Sequence, residues 1–329
     1  MLKKLSFILI FLFLFSGCTK IEKEYSKNFF YMNTYINIKI YSNKDNIDMY
    51  FNKIDDLYSE FHKLSDAYVE YKGVKNIYYI NNKLKVNEKL EINSSLYKLI
   101  EYGINSYKLS DGKVNIALGN ITSLWKKYRD EGTGIPTKKE LVLAGKNINI
   151  DDIVLEDNTI LKKSNINIDL GAIAKGYVTE LVGNYLESVG INNYLINAGG
   201  NVKTGNHYNK GLYKIGIEEP IKDSDNMYKI VNVTNQSVIT SGSYERYYEY
   251  DDKLYHHIID SKTLYPSNNM KSVTIITKDS GYGDLLSTML FLMSIEDGIK
   301  YVNNLSNVEA IWYSNDNNVY YSDGFDKYE

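Results

Sequence analysis

Apolar and polar residues follow two rhythms along the chain, and the switches between them mark its elements. Residues 29–41 alternate in strand fashion, and 45–65 (DNIDMYFNKIDDLYSEFHKLS) carry apolar side chains at helical intervals. A second helix is predicted over 94–109, closed by the turn Ser110-Asp111-Gly112. Segment 114–132 (VNIALGNITSLWKKYRDEG) places Trp125 after an apolar helical or turn stretch, and 147–168 reads as short strands with polar turns. The alternation at 167–170 looks like the end of a strand. Gly171 breaks it, and from Ile173 onward Tyr177, Leu181, Tyr185 and Val189 recur at helical spacing until Gly190. The unit 166–202 is therefore predicted as strand, helix and strand, ending in NAGGN at 197–201. Further on, 241–261 (SGSYERYYEYDDKLYHHIIDS) predicts a hairpin turning at Asp251-Asp252. Residues 272–277 (SVTIIT) predict a strand, and 283–294 (GDLLSTMLFLMS) a short, almost wholly apolar helix. No repeat period and no Pro-rich or Gly/Ser-rich linker divides the chain, so a single mixed α+β domain is expected.

Composition narrows the class. In 329 residues, 43% hydrophobic and 24% charged content suffices to bury an ordinary core, which excludes a disordered chain. The formal charge of −3 is spread over both signs and leaves no basic footprint, so nucleic acid is not expected as a partner. The amino terminus says more. MLKK is a short positive region, LSFILIFLFLF is an apolar run of signal-peptide length, and SGC follows it. An ordinary cleaved signal or an uncleaved anchor would account for the apolar run alone. Cys18 is the one cysteine of the chain, so it has no internal disulfide partner. The order Leu14-Phe15-Ser16-Gly17-Cys18 resembles a bacterial lipobox, which implies cleavage before Cys18 and lipidation of its thiol. The implied location is the bacterial cell membrane, anchored through lipid and facing outside the cytoplasm. The expected organisation is a signal peptide over 1–17, a lipidated tether over 18–28 and one domain over 29–329.

Two positions carry candidate chemistry before any family is considered. Lys175 falls in the first turn of a predicted helix, where the macrodipole favours anions, so helix stability gives a lysine no reason to be there. An anion bound between the lysine and the free N–H groups would supply one, while a solvated lysine is the plain alternative. Asp284 and Thr288, four residues apart on the apolar helix, share a face. A carboxylate on so apolar a helix needs a partner. Asp284 is read either as the amino-terminal cap of that helix or as a ligand, with hydroxyl oxygens, of a hard cation.

The segments DLGAIAKGY, NAGGN, SGSYERYYEYDDKLYHHIID, Tyr265-Pro266 and GDLLSTMLF, in that order and spacing, resemble the FAD:protein FMN transferases of the ApbE family. YMNTYINIKIY is similar to that family's opening Met-Gly-Thr strand, and SDGKVNIALGNITSLW to its Gly-x-Phe-Asp-x-Thr segment. The resemblance covers about residues 29–304. It implies a T-fold-like α+β domain with a carboxy-terminal strand and helix metal motif. It also implies Mg²⁺-dependent cleavage of FAD, with transfer of its FMN half to a Ser or Thr hydroxyl of an exported or membrane-bound acceptor flavoprotein and release of AMP.

Carried over residue by residue, the resemblance assigns Asp169 and Lys175 to FAD. Met32, Lys113, Val114 and Asn115 match flavin- or nucleotide-contacting positions, and Ile259 lines the same pocket. The main-chain oxygen of Ala172, Asp284 and Thr288 would hold Mg²⁺, with Ser287 where some members have a further acidic ligand. His257 is the candidate base for the acceptor hydroxyl, since its ordinary pKa lies near neutral, although a strand histidine also serves structural roles. His256 points to the opposite strand face and is the weaker choice. The chain departs from the family at Asn115 and Asn201, which replace aspartates, and at Ser261 and Leu264, where the usual pattern is Asp-Pro…Thr-Gly.

Three functions remain open at this level. The first is a membrane-tethered flavin transferase, and the second a Mg²⁺-dependent FAD pyrophosphatase in which water replaces the acceptor hydroxyl. The third is a non-catalytic FAD-binding lipoprotein, for which a metal pair and a base would be superfluous.

Overall fold

The computed structural model describes residues 22–221, 224 and 226–329. Cys18, the signal peptide and the start of the tether lie outside the described residues. In chain order the elements are β1 (Lys23–Tyr31), β2 (Thr34–Ser42), α1 (Ile47–Ser65), α2 (Ile77–Asn82), β3 (Lys89–Glu91), α3 (Ser94–Leu109), α4 (Gly119–Glu131) and α5 (Lys138–Ala144). They continue with β4 (Ile153–Glu156), β5 (Thr159–Lys162), α6 (Ala174–Ser188), β6 (Asn193–Ala198), β7 (Asn201–Thr204), β8 (Tyr213–Glu218), β9 (Met227–Val233) and β10 (Ser237–Gly242). Last come β11 (Tyr247–Tyr250), β12 (Lys253–His256), β13 (Ser272–Thr277), α7 (Ser280–Phe291), α8 (Ile295–Val302), β14 (Glu309–Tyr313) and β15 (Val319–Tyr321).

An eight-stranded antiparallel sheet, in the order β1-β2-β6-β7-β10-β13-β14-β15, forms the spine. Strand β13 is buried along its whole length because both sheet faces are covered there, which is why SVTIIT lacks a polar stripe. The cover differs on the two sides. Ile275 and Ala310 face a large core shared with α1, α3, α6 and α7, while Ile276 and Ile311 face a smaller core built with the β8–β9 pair. No helix among the described residues is long and apolar enough to cross a membrane.

The α+β class, helix α3, strand β13 and the β11–β12 hairpin at Asp251-Asp252 agree with the sequence reading. Four features differ. The segment 29–41 is two strands, joined by the two-residue turn Met32-Asn33, whose φ values of 54° and 58° are the left-handed pair that such a hairpin needs. The sheet also begins earlier than expected, so residues 23–28, assigned to the tether, are the first part of β1, with Lys23 opposite Ser42.

Residues 166–170 form no sheet strand. Their backbone groups bond instead to three separate partners: Ile168 N to Asn81 Oδ1 (2.8 Å), Asp169 N to Ile116 O (2.8 Å), and Asn167 O from Gly119 N (3.0 Å). A Cβ at Gly119 would sit 2.6 Å from the Asn167 carbonyl carbon, so this crossing requires glycine. Finally, α7 starts at Ser280, capped by Asp279, whose Oδ1 accepts from Tyr282 N at 2.8 Å. Asp284 is therefore not the cap of that helix.

Candidate active site

The start of α6 and the middle of α7 touch at one point, and the site is built around it. Gly176 N donates to Asp284 Oδ2 at 2.8 Å. A Cβ on Gly176 would lie 2.4 Å from Asp284 Cβ and 2.5 Å from Ser280 O, so only glycine lets the two helices meet this closely. The donation also frees the Ala172 carbonyl, four residues back, from the donor that a continuing helix would give it. Asp284 is 7% exposed, and burial pushes its carboxyl up to about 6. The Lys175 ammonium and the Gly176 amide oppose that shift, and Glu245 adds to it.

Lys175 is no free surface lysine: its Nζ donates to Gly199 O at 3.1 Å, across the β6–β7 turn. Asp169 is held on both oxygens, Oδ1 by Gly171 N (2.8 Å) and Oδ2 by Thr122 Oγ1 (2.6 Å).

These groups open into a cavity of about 390 Å³, a size ordinary for ligand sites. Every sequence-predicted site residue among the described ones lines it except Ser287. Met32, Lys113, Val114, Asn115, Asp169 and Ala172 do so from the amino-terminal half of the domain, with Lys175 at the start of α6. His257, Ile259, Asp284 and Thr288 close it from the other side. Ser287 is not among the lining residues: it is fully buried, donates to Asp284 O (3.0 Å) and accepts from the hydroxyl of Ser241 (2.8 Å), which does line the cavity.

The two histidines divide as expected. His256, at the end of β12, is buried among structural bonds: its Nδ1 accepts from Ile258 N, which leaves Nε2–H to donate to Ser267 O. His257 lines the cavity, and its Nδ1 is buried without a hydrogen-bond partner. Burial drives its pKa down to about 3, helped by the positive charges of Arg246 and Lys175, so the imidazole is uncharged at neutral pH.

Residues absent from the sequence reading complete the wall. Glu245 and Arg246 follow β10, and His62 comes from α1. His62 Nδ1 accepts from Met32 N (3.2 Å), and its Nε2 meets Tyr71 Oη, which donates to Asp66 Oδ2 (3.1 Å). That chain fixes the strained Met32 turn at the cavity rim. Nothing local in the sequence marks His62, while Glu245 and Arg246 fall within the motif SGSYERYYEYDDKLYHHIID.

The departures also have places. Asn115 caps the 3-10 turn at Ile116–Leu118 through Oδ1 and donates Nδ2 to Ile148 O (3.0 Å), a bond that aspartate could not make. Asn201 accepts from Ser280 Oγ (2.8 Å) and does not line the cavity. Leu264 holds φ 64°, a backbone conformation suited to the glycine of the usual pattern, and its carbonyl accepts from Trp125 Nε1 at 2.8 Å.

Among the described residues no group of three or more His, Cys, Asp or Glu is placed to hold a metal ion. What the cavity offers is one buried carboxylate (Asp284), one hydroxyl (Thr288) and one main-chain oxygen (Ala172), all hard donors. Such a partial oxygen set fits a cation that takes its remaining ligands from water and a bound phosphate.

The chain matches the ApbE family over residues 32–312. It is 32% identical, over 232 residues, to the FAD:protein FMN transferase of Klebsiella pneumoniae, covering 69% of this chain and 72% of that one. Among solved structures, the ApbE protein of Thermotoga maritima superposes with a TM-score of 0.84 at 27% identity, over 93% of this chain and 99% of that one. The flavin transferase ApbE of Vibrio cholerae gives 0.79 at 25% identity, over 94% and 100%.

Proposed function

The chain belongs to the ApbE family, and from that premise we propose that it transfers the FMN half of FAD to a Ser or Thr hydroxyl of an acceptor flavoprotein, releasing AMP, with Mg²⁺ as cofactor. The observation that carries the reading is the convergence of Lys175, Asp284, Thr288 and an uncharged His257 on one cavity.

The residues divide the chemistry as follows. Lys175, at the start of α6, faces the pyrophosphate and offsets its charge. The acceptor oxygen forms a bond to the FMN-side phosphorus, the bond from that phosphorus to the bridging oxygen breaks, and AMP departs with the bridging oxygen. The hydroxyl proton passes to the His257 imidazole. A base whose pKa is held low by burial, with Arg246 and Lys175 adding to it, is weak in the free protein. The pyrophosphate counters both cations and so raises its proton affinity when FAD is bound. Ala172 O, Asp284 and Thr288 would hold Mg²⁺, which when bound neutralises charge building on the phosphate oxygens.

Incubation with FAD, Mg²⁺ and an exported flavoprotein tests this: a covalent fluorescent flavin band on a denaturing gel is expected, and it should vanish with EDTA. Release of FMN and AMP with no labelled protein would point to the pyrophosphatase instead. The reading places the enzyme outside the cytoplasm, anchored through lipid on Cys18. Mass spectrometry of the membrane-bound protein should find an acylated amino-terminal Cys18, and an unmodified terminus elsewhere would exclude the anchor.

A further inference from the structure

A second concavity, also of about 390 Å³, adjoins the first. The two share Asn33, Lys175, Thr240, Glu245 and Arg246, so they meet at the lysine assigned to the pyrophosphate. From there the second runs past the Gly199-Gly200 turn and Val202 to residues 215–218 of β8.

That last run identifies the kind of wall. A strand points successive side chains to opposite faces, so a surface touching four consecutive residues is lined by the strand's edge and not by one face. Among the described residues β8 pairs with β9 alone, so its other edge carries N–H and C=O groups without a strand partner. Such an edge accepts an extended peptide as an added strand.

The chemistry needs a second entrance. In-line displacement at phosphorus brings the nucleophile in opposite the leaving oxygen. With FAD in the first cavity its AMP half fills the leaving side, so the acceptor must come to the opposite face of the phosphorus by another opening that reaches Lys175. A Ser or Thr hydroxyl is one short side chain from its backbone, so the acceptor main chain must pass close to the phosphate. The turn beside Lys175 is made of two glycines at φ 55° and 78°, which put no side chain in the way.

We propose that this groove binds an extended segment of the acceptor protein, which pairs with the free edge of β8 and presents its Ser or Thr hydroxyl beside Lys175. The inference rests on the transfer reading above, since it names the path of that reaction's second substrate. No redox step is involved: the segment gains the FMN phosphoryl group, AMP leaves and one proton is released.

Two substitutions outside the first cavity test it. Val202→Trp fills the groove, and Glu218→Trp obstructs its far end at an exposed position where folding is not at risk. The probe is a pool of nonapeptides with threonine fixed at the centre and randomised flanks, incubated with FAD and Mg²⁺ and read by mass spectrometry. Both variants should form FMN-peptide about tenfold more slowly or worse, while FAD affinity and FAD hydrolysis by water stay as in the parent. In hydrogen exchange, an accepting peptide should slow the amides of β8 in the parent and not in Val202→Trp. Undiminished peptide labelling in both variants would overturn the groove. Loss of FAD affinity would also overturn it, by assigning the concavity to the dinucleotide. No FMN-peptide from the parent, with FAD hydrolysis intact, would instead sink the transfer reading and leave the groove without its occupant.

Discussion

Asp284→Asn should make the metal-free protein more stable while abolishing its metal-dependent turnover. In the folded protein the carboxyl is pushed to about 6 against an ordinary 3.8, because burial outweighs the opposing Lys175 ammonium and Gly176 amide. A raised acid means that the folded state holds the proton more tightly than the unfolded chain does. Ionisation therefore costs stability, with no penalty below 3.8 and the full penalty above about 6. The shift of roughly two units corresponds to about 3 kcal/mol at about 1.4 kcal/mol per unit. Asparagine keeps an oxygen for Gly176 N but buries an NH₂ group, which without a partner costs about 1–3 kcal/mol. The net gain near neutral pH is then about 0–2 kcal/mol, a rise in Tm of at most a few degrees for a domain of this size. Thermal melts in EDTA from about pH 4 to about pH 8 provide the assay. The Tm difference, variant minus parent, should grow through the window between the two pKa values, and added Mg²⁺ should raise the parent's Tm alone. A difference that is flat with pH would refute a buried, destabilising carboxylate at this point of α7.

Three further outcomes are expected. In ¹⁵N-edited NMR of the free protein, His257 should stay neutral from about pH 5 upward and titrate at higher pH once FAD is bound, because the pyrophosphate offsets Lys175 and Arg246; an imidazole titrating near 6.5 in the free protein would contradict its burial. Gly176→Ala should cost about 1–3 kcal/mol, since its Cβ must part α6 from α7, and should weaken Mg²⁺ binding in calorimetry; an unchanged melt and metal affinity would show that the contact yields freely. Lys175→Met should weaken FAD about tenfold to hundredfold while leaving riboflavin binding unchanged, as for loss of one charge-assisted contact worth about 1.5–3 kcal/mol; equal affinities for FAD in parent and mutant would remove the lysine from the phosphate site.

The sequence was legible where one physical pattern dominated locally. In 94–109 the buried Leu96, Leu99, Ile100 and Gly103 recur on one helical face, and in 272–277 an apolar run stands between polar punctuation, so both elements are read to the residue. It misled where the same pattern had another cause. The alternation through 29–41 survives the Met32-Asn33 turn because the hairpin register places Tyr31 opposite Thr34, and neither turn residue is the glycine that would have announced it. Residues 167–170 alternate because they pack between α2, the turn before α4 and the core, not because they join a ladder. Ser287 shows the limit of helical counting. Residues three and four beyond Asp284 lie about 100° apart around the helix axis, enough to leave Thr288 lining the cavity and Ser287 bonded to Ser241, a residue of the cavity wall. His62 carries no local signal, because the packing of α1 against the Met32 turn is what brings it to the site, whereas Glu245 and Arg246 lie inside the motif SGSYERYYEYDDKLYHHIID and only their part in the wall was missed.

The early start of β1 sets a limit on where this enzyme can work. From Cys18 to Lys23 there are five residue steps, a leash of about 17 Å at full extension. Strand β1 adds its nine residues, about 30 Å, before the chain reaches the Met32 turn at the cavity rim. With the lipid anchor proposed for Cys18, the rim therefore stands no farther than about 50 Å from the bilayer. β1 acts as a rigid ruler. An acceptor is a substrate only if its hydroxyl comes within that height, so proteins lodged in the same membrane are within range, and a soluble one has to come down to the surface to be labelled.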